Sequence, residues 1–218
     1  MKRVVFLIAL LLVSLSFVSA HQPRIVYDKE VYGLDVKNPE VSQAFYGELK
    51  GQPEYYKISS DTDFQFYLQI TAPDIKDART DFVFEVYKDY NVYFTLNGSE
   101  YNWTKFHEEF ANDDYLSGPE YDRQVPPGDY LIKVFNKDNA GKYVLVVGKK
   151  ESFPLGESLG TIMSLPKLKV YFDKSSLSAY WNRIGLYFVV IPFLVIIVIF
   201  IILLLLVRWL FVRKRNRK

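Results

Sequence analysis

The most constraining feature of this 218-residue chain is an apolar block near its C-terminal end. Residues 184–207 contain no charged side chain and are bracketed by Arg183 and Arg208. A helix of about 24 residues, rising about 1.5 Å per residue, reaches roughly 36 Å and exceeds the hydrocarbon core of a bilayer, which is about 30 Å thick. We therefore predict one transmembrane helix over residues 184–207, followed by a tail over residues 208–218.

The opposite end of the chain has the pattern of a secretory signal peptide over residues 1–20. Lys2 and Arg3 precede an apolar run, residues 4–17, that is too short to span a bilayer. Small residues at positions 18 and 20 suit a signal peptidase. We predict cleavage after Ala20, which makes His21 the mature N-terminus. The alternative is an uncleaved anchor.

The basic residues predict the orientation of the chain. Six cations and no acid follow the span, and the positive-inside rule places that end in the cytoplasm. The two ends together hold eight of the 27 cations, so residues 21–207 carry 19 cations against all 25 acids, a net charge of −6. We expect a single-pass protein of the cell membrane, in contact with lipid. We also expect that its extracytoplasmic part does not bind nucleic acid, because contacts with phosphate groups need clustered cations.

The residue types exclude most catalytic chemistries. The chain has no cysteine, which excludes disulfides, cysteine-ligated zinc, iron–sulfur clusters and thiol catalysis. Its two histidines support no Ser/His/Asp set, and neither a P-loop nor a G-x-G-x-x-G motif occurs. We predict that the protein is not an enzyme.

Residues 21–150 are predicted to form an extracytoplasmic β-sandwich. About eight short runs rich in β-branched and aromatic residues recur between turn signals. In one run Phe64, Phe66, Leu68 and Ile70 fall on one face at period two. The predicted strands are 24–27, 42–50, 54–59, 64–71, 82–86, 92–96, 130–135 and 142–147. We predict one hairpin from 82–86 and 92–96 and another from 130–135 and 142–147.

Two segments depart from the strand pattern. Trp103, Phe106, His107 and Phe110 recur at helical spacing and predict a helix that caps one end of the sandwich. Residues 151–183 are predicted to contain an amphipathic juxtamembrane helix, over 155–168, and a linker into the span.

The first and last strands resemble those of a known domain family. Residues 44–49 (AFYGEL) and 55–58 (YYKI) resemble the opening strands of bacterial pre-peptidase C-terminal (PPC-like) domains. Residues 128–134 (GDYLIKV) and 141–148 (GKYVLVVG) resemble the closing strands. The whole chain is also similar to a group of prokaryotic single-pass membrane proteins with the same signal–sandwich–span layout.

The resemblance implies a mainly β fold, an antiparallel two-sheet sandwich of the jelly-roll or PPC-like kind. It also implies an accessory or binding module rather than a catalytic domain. We expect recognition of a glycan, a peptide or a partner membrane protein. The alternative is a structural subunit of an envelope complex.

The alternative function is that of a surface copper protein or copper-dependent oxidase with a site formed by two histidines. After cleavage, His21 offers an amine and an imidazole, and His107 offers a second imidazole. Three such nitrogens form the histidine brace of copper-dependent oxidases and suit Cu(II). Equally, His107 is explained as a half-buried residue beside Trp103 and Phe110.

Acidic residues raise the possibility of calcium. Glu108, Glu109, Asp113 and Asp114 offer the oxygen ligands that Ca²⁺ prefers. The spacing is not that of an EF-hand, and a solvated acidic loop explains the cluster equally well.

Four residues are candidates for carrying or binding a sugar. Asn97 and Asn102 open N-glycosylation sequons, to be used if the host glycosylates exported proteins. Tyr115 and Tyr121 are candidate aromatic platforms for stacking on a bound sugar ring.

Overall fold

Eleven strands and two helices form most of the described chain. The computed structural model describes residues 21–26, 33–108, 112–152, 155–181 and 190–215. The strands are β1 Gln22–Ile25, β2 Leu34–Asp35, β3 Gln43–Lys50, β4 Glu54–Ser60, β5 Phe64–Pro73, β6 Val83–Lys88, β7 Asn91–Asn97, β8 Thr104–Glu108, β9 Asp113–Val125, β10 Gly128–Phe135 and β11 Ala140–Val147. Helices α1 (Leu155–Tyr171) and α2 (Ile191–Arg215) follow, with 3-10 turns at Gly98–Glu100 and Ser176–Tyr180.

The strands pair into two sheets. One has six strands in the order β1-β3-β11-β5-β9-β8, and the other has five in the order β2-β4-β10-β6-β7. The pairs are antiparallel except at one edge of each sheet, where β1 runs parallel to β3 and β2 runs parallel to β4. The predicted mainly β, two-sheet sandwich is therefore confirmed.

The core lies between the two sheets and is formed by the alternate side chains of each strand that point inward. Phe64, Phe66, Leu68 and Ile70 of β5 are all buried, as their period-two spacing predicts. From the other sheet, β10 contributes its alternate residues, Tyr130 among them, to the same cluster. Aromatic rings dominate this core. The rings of Phe66 and Tyr130 pack edge to face, with their centroids 5.4 Å apart.

The predicted hairpin of residues 130–135 and 142–147 is wrong. Strand β10 pairs with β4 and β6, whereas β11 pairs with β3 and β5, so the connection crosses from one sheet to the other. Asn136 holds the crossing: its side chain donates to the carbonyl of Ala140 at 2.8 Å and accepts from the amide of Ala140 at 3.0 Å. Both strands still direct alternate residues into the core, which is why the pattern resembled a hairpin. The other predicted hairpin is confirmed as β6–β7.

The predicted helix over residues 103–110 is also wrong. Residues 104–108 form β8, an edge strand that pairs with β9 from Thr104 against Ser117 to Glu108 against Asp113. Trp103 precedes the strand, where its indole N–H donates to the Gly98 carbonyl at 2.8 Å. The spacing of Trp103 and Phe106 thus reflects two separate packing sites. Glu109 and Phe110 lie outside the described residues.

Helix α1 packs on the outer face of the six-stranded sheet. Leu165, Leu168 and Phe172 are buried against a cluster that includes Tyr46 and Tyr115 of the sheet. This confirms a helix after the last strand and extends it to Tyr171. The packed unit therefore continues beyond residue 150, where the sequence placed the end of the sandwich.

Helix α2 has the length and composition of a membrane span. Its stretch Ile191–Trp209 has a mean hydropathy of 3.2, and its described side chains are exposed. An apolar surface of this size suits a lipid environment. The predicted span over residues 184–207 is therefore supported from Ile191 onward, while residues 184–189, like the predicted signal peptide and its Ala20 cleavage site, lie outside the described residues.

A notch at Gly47 admits the ring of Tyr143 into the core. A Cβ atom at Gly47 would lie 2.4 Å from Cζ of Tyr143. The Tyr143 hydroxyl shares a hydrogen bond with Tyr56 at 2.7 Å and donates to Glu54, so its buried polar end is satisfied. The ring cannot move without breaking these bonds.

We expect Gly47→Ala to destabilise the fold by about 1–3 kcal/mol, because overpacking must displace a hydrogen-bonded core ring. Thermal and chemical denaturation of the full chain measure this. Gly160→Ala is the matched control, since nothing lies within 4 Å of its Cβ position, and alanine favours a helix by about 0.5–1 kcal/mol. Equal stability of the two variants would contradict the notch.

Candidate functional site

A groove crosses one end of the outer face of the five-stranded sheet. It has a volume of about 1030 Å³ and lies between the segment that follows β2, the ends of β4 and β10, and the β6–β7 turn. Lys57, Leu131 and Tyr87 share a register across three neighbouring strands and form part of its floor. Because Ile58 and Tyr130 point into the core, their neighbours in sequence must point outward. We call this feature the Tyr90 groove.

Tyr90 stands at one wall of this groove, in an unusual backbone conformation. Lys88 pairs with Asn91, so Asp89 and Tyr90 form a two-residue hairpin loop. Both have positive φ, 50° for Asp89 and 64° for Tyr90, as a type I′ turn requires. Glycine is the residue favoured at the second position, and a bulky side chain there is a strained exception. The Tyr90 side chain is nevertheless fully exposed.

The polar groups of the groove carry both signs of charge. Asp35, Asp89 and Asp129 are exposed carboxylates, and Lys37 and Lys57 are exposed ammonium groups. Ser59 donates its hydroxyl to Asp129 at 2.6 Å, which links two neighbouring strands at the rim. The described lining contains no histidine, and its charges do not form a patch of one sign. An aromatic wall with mixed donors and acceptors suits a neutral polar ligand.

A smaller cavity on the opposite sheet contains His21. It has a volume of about 210 Å³ and includes Glu108, Phe106 and Tyr115 in its lining. The His21 ring is hydrogen-bonded to the hydroxyl of Ser42, and burial lowers its pKa below the ordinary value. Tyr115 is buried there, with its ring beside that of Tyr46.

The structure does not bring the two histidines into this one cavity. Phe106 and Glu108 of β8 line it, so strand alternation directs His107 to the other face of the sheet. There Nδ1 of the exposed His107 lies 2.7 Å from a carboxylate oxygen of Asp114. Within the described part of the chain, no group of three or more His, Asp and Glu side chains is arranged to hold a metal. The copper brace of His21 and His107 stays a prediction.

Two of the four predicted calcium ligands are engaged by basic side chains of the chain itself. Asp113 is buried and lies 2.8 Å from Nζ of Lys169 and 2.9 Å from Nζ of Lys174. Lys169, itself 1% exposed, also donates to the carbonyl of Asn112 at 2.8 Å. Asp114 is paired with His107, whose hydrogen bond lowers the pKa of the Asp114 carboxyl. Asp113 thus fastens α1 to β9, and the calcium site stays a prediction.

The predicted sugar-related residues occupy different environments. Asn97 caps a 3-10 turn: it accepts from the Ser99 amide at 3.1 Å and donates its side-chain amide to Glu100 at 2.7 Å. Asn102 is exposed. Of the two stacking platforms predicted from sequence, Tyr115 is wrong because its side chain is buried. Tyr121 is half-buried, with its ring stacked on that of Phe94 at a centroid distance of 3.7 Å, and its role stays a prediction.

Tyr90 is not among the residues predicted from the sequence to bind a ligand, although its position in the sequence carries a signal. The hairpin predicted from residues 82–86 and 92–96 places Tyr90 in the connection between two strands. A tyrosine in the second place of a two-residue loop, where glycine is expected, was the signal of an unusual position.

Comparison with solved structures shows a likeness at the level of structure, whereas comparison at the level of sequence shows none. No family model matches the chain, and no curated protein matches it. It is similar to the pre-peptidase C-terminal domain of a collagenase from Bacillus anthracis, with 13% identity and a TM-score of 0.30. The match covers 59% of this chain and 95% of that one. The two-sheet fold class follows from the strands themselves.

Asp113→Asn is expected to destabilise the protein by about 3–5 kcal/mol, because it leaves the buried Lys169 without its counter-charge. Asp114→Asn, one residue along the chain and exposed, is the matched control and should leave the melting temperature almost unchanged. Thermal melts of the full chain compare the two. Similar melting temperatures for both variants would show that the buried cluster is not needed.

The lowered pKa of His21 predicts a loss of stability in acid. The folded state keeps the ring neutral below the ordinary pKa of 6.5, whereas the unfolded chain takes up a proton there. The free energy of unfolding from His21 is therefore complete above about pH 6.5 and falls as the pH drops below it. Chemical denaturation at two pH values on either side tests this. His21→Gln should shrink the difference, and His107→Gln should leave the His21 contribution in place.

Proposed function

We propose that this chain is a membrane-anchored, extracytoplasmic binding module that recognises a glycan in the Tyr90 groove and carries out no catalysis. The observation that carries the proposal is Tyr90 itself, a fully exposed aromatic ring held in a strained turn at the wall of a groove of about 1030 Å³. Strain of this kind persists where the surrounding structure imposes it, and it concentrates at ligand-binding positions.

The chemistry of the groove supports a sugar as the ligand. A sugar ring presents an apolar face, which an exposed aromatic ring can cover, and hydroxyls around its edge that both donate and accept. Around Tyr90, carboxylates such as Asp35 and Asp129 accept, and the ammonium of Lys57 donates. These groups also suit a polar peptide, which is the competing outcome of the test below.

The C-terminal helix supports a location at the membrane. Ile191–Trp209 is apolar enough to cross a bilayer, and basic residues follow it. In this proposal the sandwich lies outside the cell membrane, and the short tail serves as an anchor. A partner membrane protein is the alternative occupant of the groove.

The test is a glycan array probed with the full chain in detergent micelles, followed by calorimetry on the sugars that bind. Tyr90→Ala should weaken binding by roughly tenfold or more, as truncation of an aromatic anchor does, whereas Tyr90→Trp should retain it. Tyr101→Ala is the matched control, since Tyr101 is also exposed but does not line the groove.

A second variant separates binding from folding. Tyr90→Gly removes the ring and also the strain of a positive φ, so it should raise the unfolding free energy by about 1 kcal/mol while abolishing binding. An array without a bound glycan, or a peptide library that yields ligands dependent on Tyr90, would overturn the glycan assignment.

A further inference from the structure

Four large apolar side chains between the sandwich and the span face away from the protein. Met163 and Val170 of α1, and Leu177 and Trp181 after it, have exposed fractions of 75%, 61%, 77% and 83%. We call these four residues the apolar strip. Four large apolar side chains exposed within 19 residues of one another are more than isolated surface residues, and we treat them as a candidate contact surface.

The geometry of α1 separates the strip from the core. Met163 and Val170 are seven residues apart and therefore lie within about 20° of each other around the helix axis. Leu165, Leu168 and Phe172 lie on the opposite side, buried against the six-stranded sheet. The helix therefore already buries one face against the sheet, and Met163 and Val170 of the strip lie on a different face.

The strip has a fixed direction relative to the sandwich. Lys169 and Lys174 both reach Asp113 of β9, and Lys142 of β11 pairs with Asp173 just after α1. These ion pairs and the buried side chains fasten the helix on two strands. A surface that meets the strip therefore meets the whole domain in one orientation.

The chain places the end of the strip at the membrane. Only Asn182 and Arg183 separate Trp181 from the apolar block that begins at Ile184. Even a fully extended chain covers only about 10 Å over three residues. Tryptophan is favoured at the membrane–water interface, and the exposed Lys167, beside Met163 and Val170 on the helix, suits lipid phosphate.

We propose that the apolar strip lies on the surface of the bilayer that the chain's own span enters, so that α1 rests in the interface parallel to the membrane plane. The occupant of the strip is lipid, as for other helices that carry an apolar face at a membrane surface. This inference does not depend on the ligand of the Tyr90 groove, and either can fail without the other.

The absence of cysteine makes the test direct. Single-cysteine variants at Met163, Val170 and Leu177 can each carry one fluorescent label in an otherwise cysteine-free chain. The full chain is reconstituted in nanodiscs of phosphatidylcholine and phosphatidylglycerol, at one copy per disc. Quenching is then measured with nitroxide lipids labelled near the headgroup and with iodide in the water. Val92→Cys on β7, where Val92 is 54% exposed, is the matched control.

The expected result is strong quenching of the three strip labels by the nitroxide lipids and at least a threefold lower iodide quenching than at position 92. Iodide quenching equal to that at position 92 would overturn the proposal. Protection from both quenchers would also overturn it, since it would mean that protein rather than lipid covers the strip.

A second readout needs no substitution. Lipids with a photoreactive headgroup, activated in nanodiscs that hold the unaltered chain, should crosslink to peptides that contain Met163 to Trp181 and not to peptides of the β6–β7 hairpin. Crosslinks confined to the span would contradict the proposal, even if a labelled variant had failed to fold.

Discussion

The sandwich depends on the close packing of one tyrosine across its two sheets. Tyr143 comes from the six-stranded sheet, meets Phe82 and Phe84 from the segment of β6, and bonds to Tyr56 of β4 through its hydroxyl. Without cysteine, the domain has no disulfide and is stabilised chiefly by its packed core. A buried hydroxyl that is satisfied only in one position fixes the sheets in register, because any slip leaves a polar group unpaired.

A second set of interactions joins this core to the segment that follows the last strand. Asp113 stands at the start of β9 and forms ion pairs with two ammonium groups, Lys169 of α1 and Lys174 after it. A buried ion pair contributes little net stability, since desolvation offsets most of the attraction, but breaking one is costly. The cluster therefore acts chiefly to fix where α1 sits on the six-stranded sheet.

Sequence patterns predicted those features that depend on periodicity along one element. The burial of Phe64, Phe66, Leu68 and Ile70, the helix after the last strand and the apolar C-terminal helix all follow from spacing or composition. Features that depend on which elements meet were not predictable in this way. Strands β10 and β11 have inward residues whether they form a hairpin or face each other across the core. The β8 segment resembled a helix because Trp103 has a packing site of its own.

The site was harder to predict than the fold for the same reason. Tyr90 is adjacent in sequence only to turn residues, and its groove is formed by strands that are distant along the chain. Exposure, too, depends on packing: Tyr115 and Tyr121 resembled surface aromatics in sequence, but α1 covers the first and Phe94 covers the second. A helix added after the last strand thus changed which aromatic residues remain available to a ligand.

The arrangement of layers connects the membrane side of the domain with its binding side. Helix α1 covers the outer face of the six-stranded sheet, while the Tyr90 groove opens on the outer face of the five-stranded sheet. In a sandwich these two faces point in opposite directions, since each sheet turns its inner face to the shared core. If the apolar strip rests on lipid, the groove is directed away from the bilayer. A ligand in the surrounding medium then reaches Tyr90 without approaching the membrane, so anchoring and recognition take place on separate faces of one rigid core.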